Sequence, residues 1–310
     1  MLGRLEIQRD QQTLAGLESA KAQELFCYLL LNRSRAHTRD ALADLLWGEH
    51  AGAQAKKYLR KTLWQLLGAL DERDKPADRP VLVAEPEWLR LNPSAEIWLD
   101  VADFGQAAAL VQGVPGESLD PARARVLREA LDLYQGDLLE GWYQPWCQDE
   151  RERLQSIQTS MLDKLMGFAE ARREYDAGLE YGALILRREP ARERTHQRLM
   201  RLHYLAGDRA SALRQYERCV ATLGTDLDVS PSKRTEVLYQ EIRADRLEPP
   251  GQPGAERLAE LPRPSERSSV ERSPDDPLSR LRQLRASLLG VLHQVDHDIE
   301  ALELAGEARQ

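Results

Sequence analysis

Few residues in this 310-residue chain are placed for catalysis or metal binding. His293 and His297 are one helical turn apart and Asp296 and Glu300 lie close by, but a third metal ligand is lacking. We therefore interpret this helix face as solvated. No Gly-rich phosphate loop is followed by Lys and Ser or Thr, and no nucleophile has a base at a suitable spacing. The sequence predicts a protein that is not an enzyme, with no cofactor and no metal.

The cysteines indicate the cellular compartment. Cys27, Cys147 and Cys219 lie far apart without a CxxC pair, which is typical of buried thiols in a reducing compartment. The N-terminus lacks a basic and then apolar leader, and the longest apolar run, residues 25–31, is too short to cross a bilayer. We expect a cytoplasmic protein without a membrane partner.

The chemistry that the sequence does support is the binding of phosphates by one helix, residues 53–70. Helical spacing places the following residues on one face: Ala55, Leu59, Thr62, Leu63, Leu66 and Leu70. The opposite face and its flanks carry Lys57, Tyr58, Arg60, Lys61, Trp64, Gln65 and Gly68. Such a helix can pack its leucines on a small core and offer its lysines to phosphates.

The charge distribution and the exposed apolar residues both bear on the prediction that this helix binds phosphates. The whole chain has a net charge of −8, but residues 33–61 contain seven basic and three acidic residues and carry a local charge of +4. Trp64 lies beside the lysines and Leu67 lies near the edge of the same face. This exposed apolar pair predicts a binding partner without identifying it.

The neighbouring segments predict the fold that positions this helix. Residues 2–7 alternate like a strand and residues 13–17 can return beside it. Ser19 can cap a helix over residues 20–32, and Thr38 can cap a second over residues 39–47. After the third helix come two short strands, residues 81–84 and 88–91. This order predicts a winged helix-turn-helix with the hairpin as its wing.

The second half of the chain is predicted to be a helical repeat. Residues 173–179 (REYDAGL) and 207–213 (GDRASAL) are offset by 34 residues, which is the tetratricopeptide period. Pro190 separates two units and Pro231 begins a last helix. We expect the stacked helices to form a groove for a protein partner, although a plain all-α spacer is the alternative.

The C-terminal region changes composition. Residues 246–277 are rich in Pro and Ser and predict a flexible linker. Residues 278–305 regain a nearly heptad apolar spacing, interrupted by Arg285, and predict an amphipathic helix. This helix could pack back on its own domain, pair with a second copy as a homodimer, or dock on another protein.

Several of these segments resemble the SARP/AfsR-type bacterial transcriptional regulators. In the N-terminal half they are LGRLEI, TRDALADLLWGE, AKKYLRKTLWQLLGAL and LDVADF. In the second half they are YQGDLLEGWYQPWCQDERERL, RTHQRLMRLHYLAGDRASALRQYERC and DLDVSPSKRTEVLYQEI. The resemblance covers residues 2–244 and implies an OmpR-type winged helix (residues 1–104) followed by a bacterial transcriptional activator domain (residues 105–245). The expected fold is mainly α, namely a winged helix-turn-helix, a tetratricopeptide-like all-α repeat domain and a C-terminal helix.

The resemblance also implies how DNA is bound. The third helix would enter the major groove, the wing would touch the backbone, and the helical domain would recruit RNA polymerase. The family's helix usually reads NLRQALSRLRRAL, and here Gln65, Leu67 and Gly68 replace three of its arginines. Thr38 and Arg39 could hold a phosphate, and Trp64 could contact a thymine methyl group, stack, or bind protein. The predicted DNA contacts are Thr38, Arg39, Lys56, Lys57, Arg60, Lys61, Trp64, Gln65 and Arg90.

Two functions follow from these features. The first is a transcriptional regulator that binds double-stranded promoter DNA and contacts RNA polymerase or another protein. The alternative is an adaptor whose winged helix has lost DNA binding and holds partners through Trp64, Leu67 and the helical groove.

Overall fold

A computed structural model of the chain describes residues 1–70 and 80–247. The predicted linker beyond residue 247 and the predicted helix over residues 278–305 lie outside the described residues. The strands are β1 (Gln8–Arg9), β2 (Gln12–Thr13), β3 (His37–Thr38), β4 (Leu82–Ala84) and β5 (Trp88–Leu91). The helices are α1 (Ala20–Leu31), α2 (Arg39–Trp47), α3 (Gly52–Leu70), α4 (Asp100–Leu110), α5 (Pro121–Asp132), α6 (Pro145–Arg172), α7 (Tyr175–Arg188), α8 (Glu193–Leu205), α9 (Arg209–Leu227) and α10 (Lys233–Arg243).

The N-terminal part is a winged helix-turn-helix, as predicted. Helices α1, α2 and α3 pack on one another, and β5 pairs antiparallel with β4 to form the wing. Strand β3, which the sequence did not predict, pairs with the other edge of β5 and joins the wing to the start of α2. The wing is therefore held to the helices by backbone hydrogen bonds.

The first predicted strand was wrong in position. Residues 2–7 do not form it; β1 is the two residues Gln8–Arg9, which pair with β2 across a tight turn. Both turn residues have positive φ, Asp10 at 50° and Gln11 at 65°, as a tight hairpin turn of two strands requires. Leu2 instead forms an isolated bridge with Leu138 in the following domain. Farther along the same segment, the Ile7 carbonyl accepts a hydrogen bond from the Leu14 amide at 2.9 Å, so residues 2–7 contact the following domain at their start and the β2 region at their end.

One apolar core joins the winged helix to the helices that follow it. The same cluster of buried side chains includes Leu25 of α1, Leu63 of α3, Phe104 of α4 and Leu154 of α6. The predicted domain boundary after residue 104 would fall inside α4. The backbone amide of Leu2 also donates to the Asp100 carboxylate at 2.7 Å. These contacts connect the two halves over a broad surface.

A partly buried polar contact crosses the same junction. The indole of Trp146, in the first turn of α6, donates to the Glu24 carboxylate of α1 at 3.1 Å. Glu24 is only 4% exposed and also pairs with Lys21 at 2.9 Å. A buried carboxylate needs such partners, because its charge is otherwise poorly solvated. No local pattern in the sequence predicts this contact, because its two residues are 122 positions apart.

The second half is a stack of helices in which each of α6 to α10 packs against the next. Close packing depends on glycine where α7 meets α8: a Cβ on Gly182 would lie 2.5 Å from Leu199 Cδ2. The predicted break at Pro190 separates α7 from α8, and Pro231 lies two residues before α10. Helix α10 covers the end of the stack, and there Glu193 accepts hydrogen bonds from Ser232 and Thr235.

Candidate nucleic-acid interface

Helix α3 has the two faces that the sequence predicts. Its buried residues are the six of the predicted apolar face, Ala55, Leu59, Thr62, Leu63, Leu66 and Leu70. Lys57, Arg60 and Lys61 are exposed on the other side. The apolar face fixes the helix on the core, so the basic side chains are presented outward from a rigid element.

Three of the four basic residues of α3 are available for an anion. Within the described part of the chain, Lys57, Arg60 and Lys61 form no salt bridge. Lys56 differs, because its ammonium group pairs with Asp40 of α2 at 2.8 Å. Both partners of this pair are exposed, so it contributes little stability and a phosphate could displace the carboxylate. The neutralised Lys56 nevertheless adds less positive charge to the surface than the sequence predicts.

The N-terminal half of α3 is oriented by aromatic contacts. Tyr58 is half-buried, with its ring centre 6.2 Å from that of Trp47 at the end of α2. It meets the ring of His50 edge-on at 5.2 Å. Tyr58 therefore serves to position the helix and does not face solvent with the lysines.

The start of α2 is engaged within the protein. The Thr38 hydroxyl accepts a hydrogen bond from the Ala41 amide at 3.2 Å, which makes Thr38 the predicted N-cap. The backbone amide of Arg39 donates to the Glu87 carbonyl at 2.9 Å, and its guanidinium group donates to the Glu85 carbonyl at 3.0 Å. Thr38 and Arg39 thus fasten α2 to the wing turn. Their predicted phosphate contacts would have to be made alongside these bonds.

The wing presents both signs of charge. Arg90 is exposed on β5, as predicted for a backbone contact. The turn beside it carries two exposed carboxylates, Glu85 and Glu87. Carboxylates repel phosphates, so the tip of this wing is less suited to DNA than its strand.

The predicted apolar pair on α3 is in fact one exposed residue. Trp64 is 76% exposed. Leu67 is half-buried and packs against the core, because it lies one helical turn from the buried Leu63 and Leu70, so its prediction as an exposed contact was wrong. Gln65 is also half-buried, at the edge of the outward surface. The outward surface therefore consists of cations around a single indole ring.

Buried titratable groups add no charge to this surface. Burial lowers the pKa of His37, although a hydrogen bond to the Asn32 carbonyl opposes the shift, so this imidazole is neutral at physiological pH. Burial raises the pKa of Cys27 to about 12, and the pKa values of Cys147 and Cys219 are each raised to about 11. The three cysteines are buried free thiols, as predicted.

Residues 1–70 and 80–247 contain no group of three His, Cys, Asp or Glu side chains that could hold a metal ion. No helix in these ranges is long and apolar enough to span a membrane. The arrangement of α3 is thus the feature of the winged helix with the clearest binding chemistry.

Known proteins share this architecture. Residues 99–243 match the family described as the bacterial transcriptional activator domain. The chain is 31% identical over 248 residues to the Regulatory protein AfsR of Streptomyces coelicolor, an alignment covering 78% of this chain and 24% of AfsR. The chain therefore spans about a quarter of the length of that relative. It also superposes on Mycobacterium tuberculosis EmbR, solved in complex with a low affinity phosphopeptide, with a TM-score of 0.61 and 23% identity, over 80% of this chain and 65% of EmbR.

Proposed function

We propose that this chain, a transcriptional regulator of the SARP/AfsR type, binds double-stranded promoter DNA by placing α3 in the major groove. One observation carries the proposal: Lys57, Arg60 and Lys61 project from a helix that the core holds rigidly, and no carboxylate of the described residues neutralises them. Such a cationic surface favours a polyanionic partner.

The helical domain is proposed to contact RNA polymerase or another regulatory protein. Its last two helices, α9 and α10, form an open cleft of about 610 Å³ lined by Tyr216, Val237 and Gln240 among others. Val237 is 47% exposed there and Val220 of α9 is 39% exposed. Exposed apolar side chains beside polar ones are typical of surfaces that bind proteins. DNA binding and recruitment are thereby assigned to different parts of the chain.

DNA binding is tested by fluorescence anisotropy on duplexes from the promoters of neighbouring operons, across a series of salt concentrations. Each phosphate contact changes the slope of log K against log salt by about 0.9, so Lys57→Ala/Lys61→Ala should reduce the slope by about 1.8. The matched control is Lys233→Ala/Arg234→Ala, which removes the same charge from α10. Equal slopes for wild type and both variants would contradict the proposal.

Recruitment is tested by transcription in vitro with purified RNA polymerase. Val237→Asp should reduce activation without changing DNA affinity, because it places a charge in the α9–α10 cleft. Leu184→Asp alters a side chain of similar exposure, 41%, on α7 and should have no effect. If neither variant changes activation, the polymerase contact lies elsewhere.

The adaptor function predicts a different set of results. DNA would not bind even at low salt, and a protein would co-purify with the wild type but not with Trp64→Ala. The exposure of Trp64 is the observation that favours this alternative.

A further inference from the structure

Trp64 is the most exposed tryptophan of the described residues, at 76%, compared with 69% for Trp98 and 44% for Trp88. The Trp98 indole donates to Asp103 at 2.8 Å, and the Trp146 indole donates to Glu24. The Trp64 indole donates to no group within residues 1–70 and 80–247. A large apolar ring and a hydrogen-bond donor are thus both left to solvent on the outward face of α3.

The surroundings of this ring are cationic. Side chains on a helix lean toward its N-terminus, so the indole extends over the turn that carries Arg60 and Lys61. On its C-terminal side lies Gly68, where an added Cβ would meet no atom within 4 Å. An apolar protein surface would have to bury these unpaired cations, which is unfavourable. A partner that combines negative charge with apolar groups in a groove suits the site better.

The major groove of DNA offers such a combination at one base. Thymine presents the O4 acceptor beside its C5 methyl group, whereas guanine offers acceptors without a methyl group, and adenine and cytosine present amino donors. An indole is a donor only, with an apolar ring edge beside its N–H group. We infer that Trp64 recognises a thymine in the major groove, through contact with the methyl group and a hydrogen bond to O4, and so sets the base preference at one position.

This inference rests on the proposed binding of DNA by α3, and the test separates the two. Binding sites are first selected from a random duplex library with the wild-type chain. Each thymine of the selected site is then replaced singly by deoxyuridine, which lacks the methyl group and keeps O4. We expect the replacement at one position to weaken the affinity of the chain for the duplex about four-fold, which is the contribution of burying one methyl group. Replacing the same thymine by 5-methylcytosine, paired with guanine, restores the methyl group but presents a donor in place of O4 and should not restore affinity.

The variant Trp64→Ala should bind deoxyuridine and thymine equally at that position while keeping the salt slope of the wild type. Because Trp64 lies on the surface, its removal should leave the thermal midpoint unchanged, which confirms that the variant folds. If duplexes are selected but no single deoxyuridine reduces binding, or Trp64→Ala retains the same discrimination, the inference is wrong and DNA binding stands. If no duplex is selected even at low salt, the proposed function itself fails, and with it the inference.

Discussion

The partly buried hydrogen bond between Trp146 and Glu24 gives the strongest single prediction of a change in stability. Trp146→Phe keeps an aromatic ring between α1 and α6 but removes the donor that lies 3.1 Å from the Glu24 carboxylate. Hydrogen bonds to charged groups contribute about 1.5–3 kcal/mol, and Glu24 would retain only its pair with Lys21. We expect a loss of about 2 kcal/mol in the free energy of unfolding.

The matched control is Trp98→Phe. The Trp98 indole also donates to a carboxylate, that of Asp103 at 2.8 Å, but both groups are exposed to solvent. Water can replace the lost donor there, so the change should stay within about 0.5 kcal/mol. The two variants make the same chemical change and differ in burial.

Urea unfolding followed by circular dichroism measures both variants, with thermal unfolding as a second readout. A loss of 2 kcal/mol corresponds to a decrease of about 4–8 °C in the melting temperature of a domain of this size. In a Glu24→Met background, Trp146→Phe should destabilise the protein less, because the carboxylate that it satisfies is gone. Equal losses for Trp146→Phe and Trp98→Phe, or the same loss in both backgrounds, would refute the reasoning.

Four other predictions follow from particular contacts. Gly116→Ala should lower the melting temperature because its Cβ would lie 2.3 Å from the Lys164 carbonyl oxygen, whereas Gly68→Ala has open space and should stabilise α3 by about 1 kcal/mol. Burial alone would raise the pKa of the Glu193 carboxyl, but hydrogen bonds from Thr235 and Ser232 outweigh burial and lower that pKa. The stability that this carboxylate contributes is therefore present above the unfolded pKa and is lost as the pH falls through the lower folded pKa. Glu193→Gln should flatten that part of an acid-unfolding series. The three buried thiols should react with a disulfide reagent only after denaturant is added, as measured by the release of its chromophore. If DNA is bound, Glu87→Gln in the wing should increase affinity in the anisotropy assay, because it removes a charge that repels phosphate.

The sequence predicted what depends on local periodicity. All six residues of the apolar face of α3 are buried, and the Thr38 cap is present. Strand β3 was missed because two residues, His37 and Thr38, are too few to show an alternating pattern. A periodic pattern can be recognised only in a segment that is long enough to repeat it, as α3 is and β3 is not.

Contacts between distant residues could not be predicted in this way. The sequence could not show that Glu24 meets Trp146, or that Leu2 pairs with Leu138. It also did not show that Arg39 is engaged by the carbonyl groups of the wing turn, since a basic residue at a helix start has the same pattern whether it binds phosphate or backbone. The DNA contacts predicted for Thr38 and Arg39 remain predictions for this reason.

The apolar core shared by α1, α3, α4 and α6 has a mechanical consequence. A helix joined to its neighbouring domain by packed side chains cannot rotate independently, so α3 keeps one angle relative to α6. Any assembly built through the helical domain would then fix the separation of two recognition helices along the duplex. Such a protein would require one spacing between its sites: an insertion of half a turn, roughly five base pairs, would place the second site on the opposite side of the double helix, and an insertion of a whole turn would restore the side but lengthen the separation.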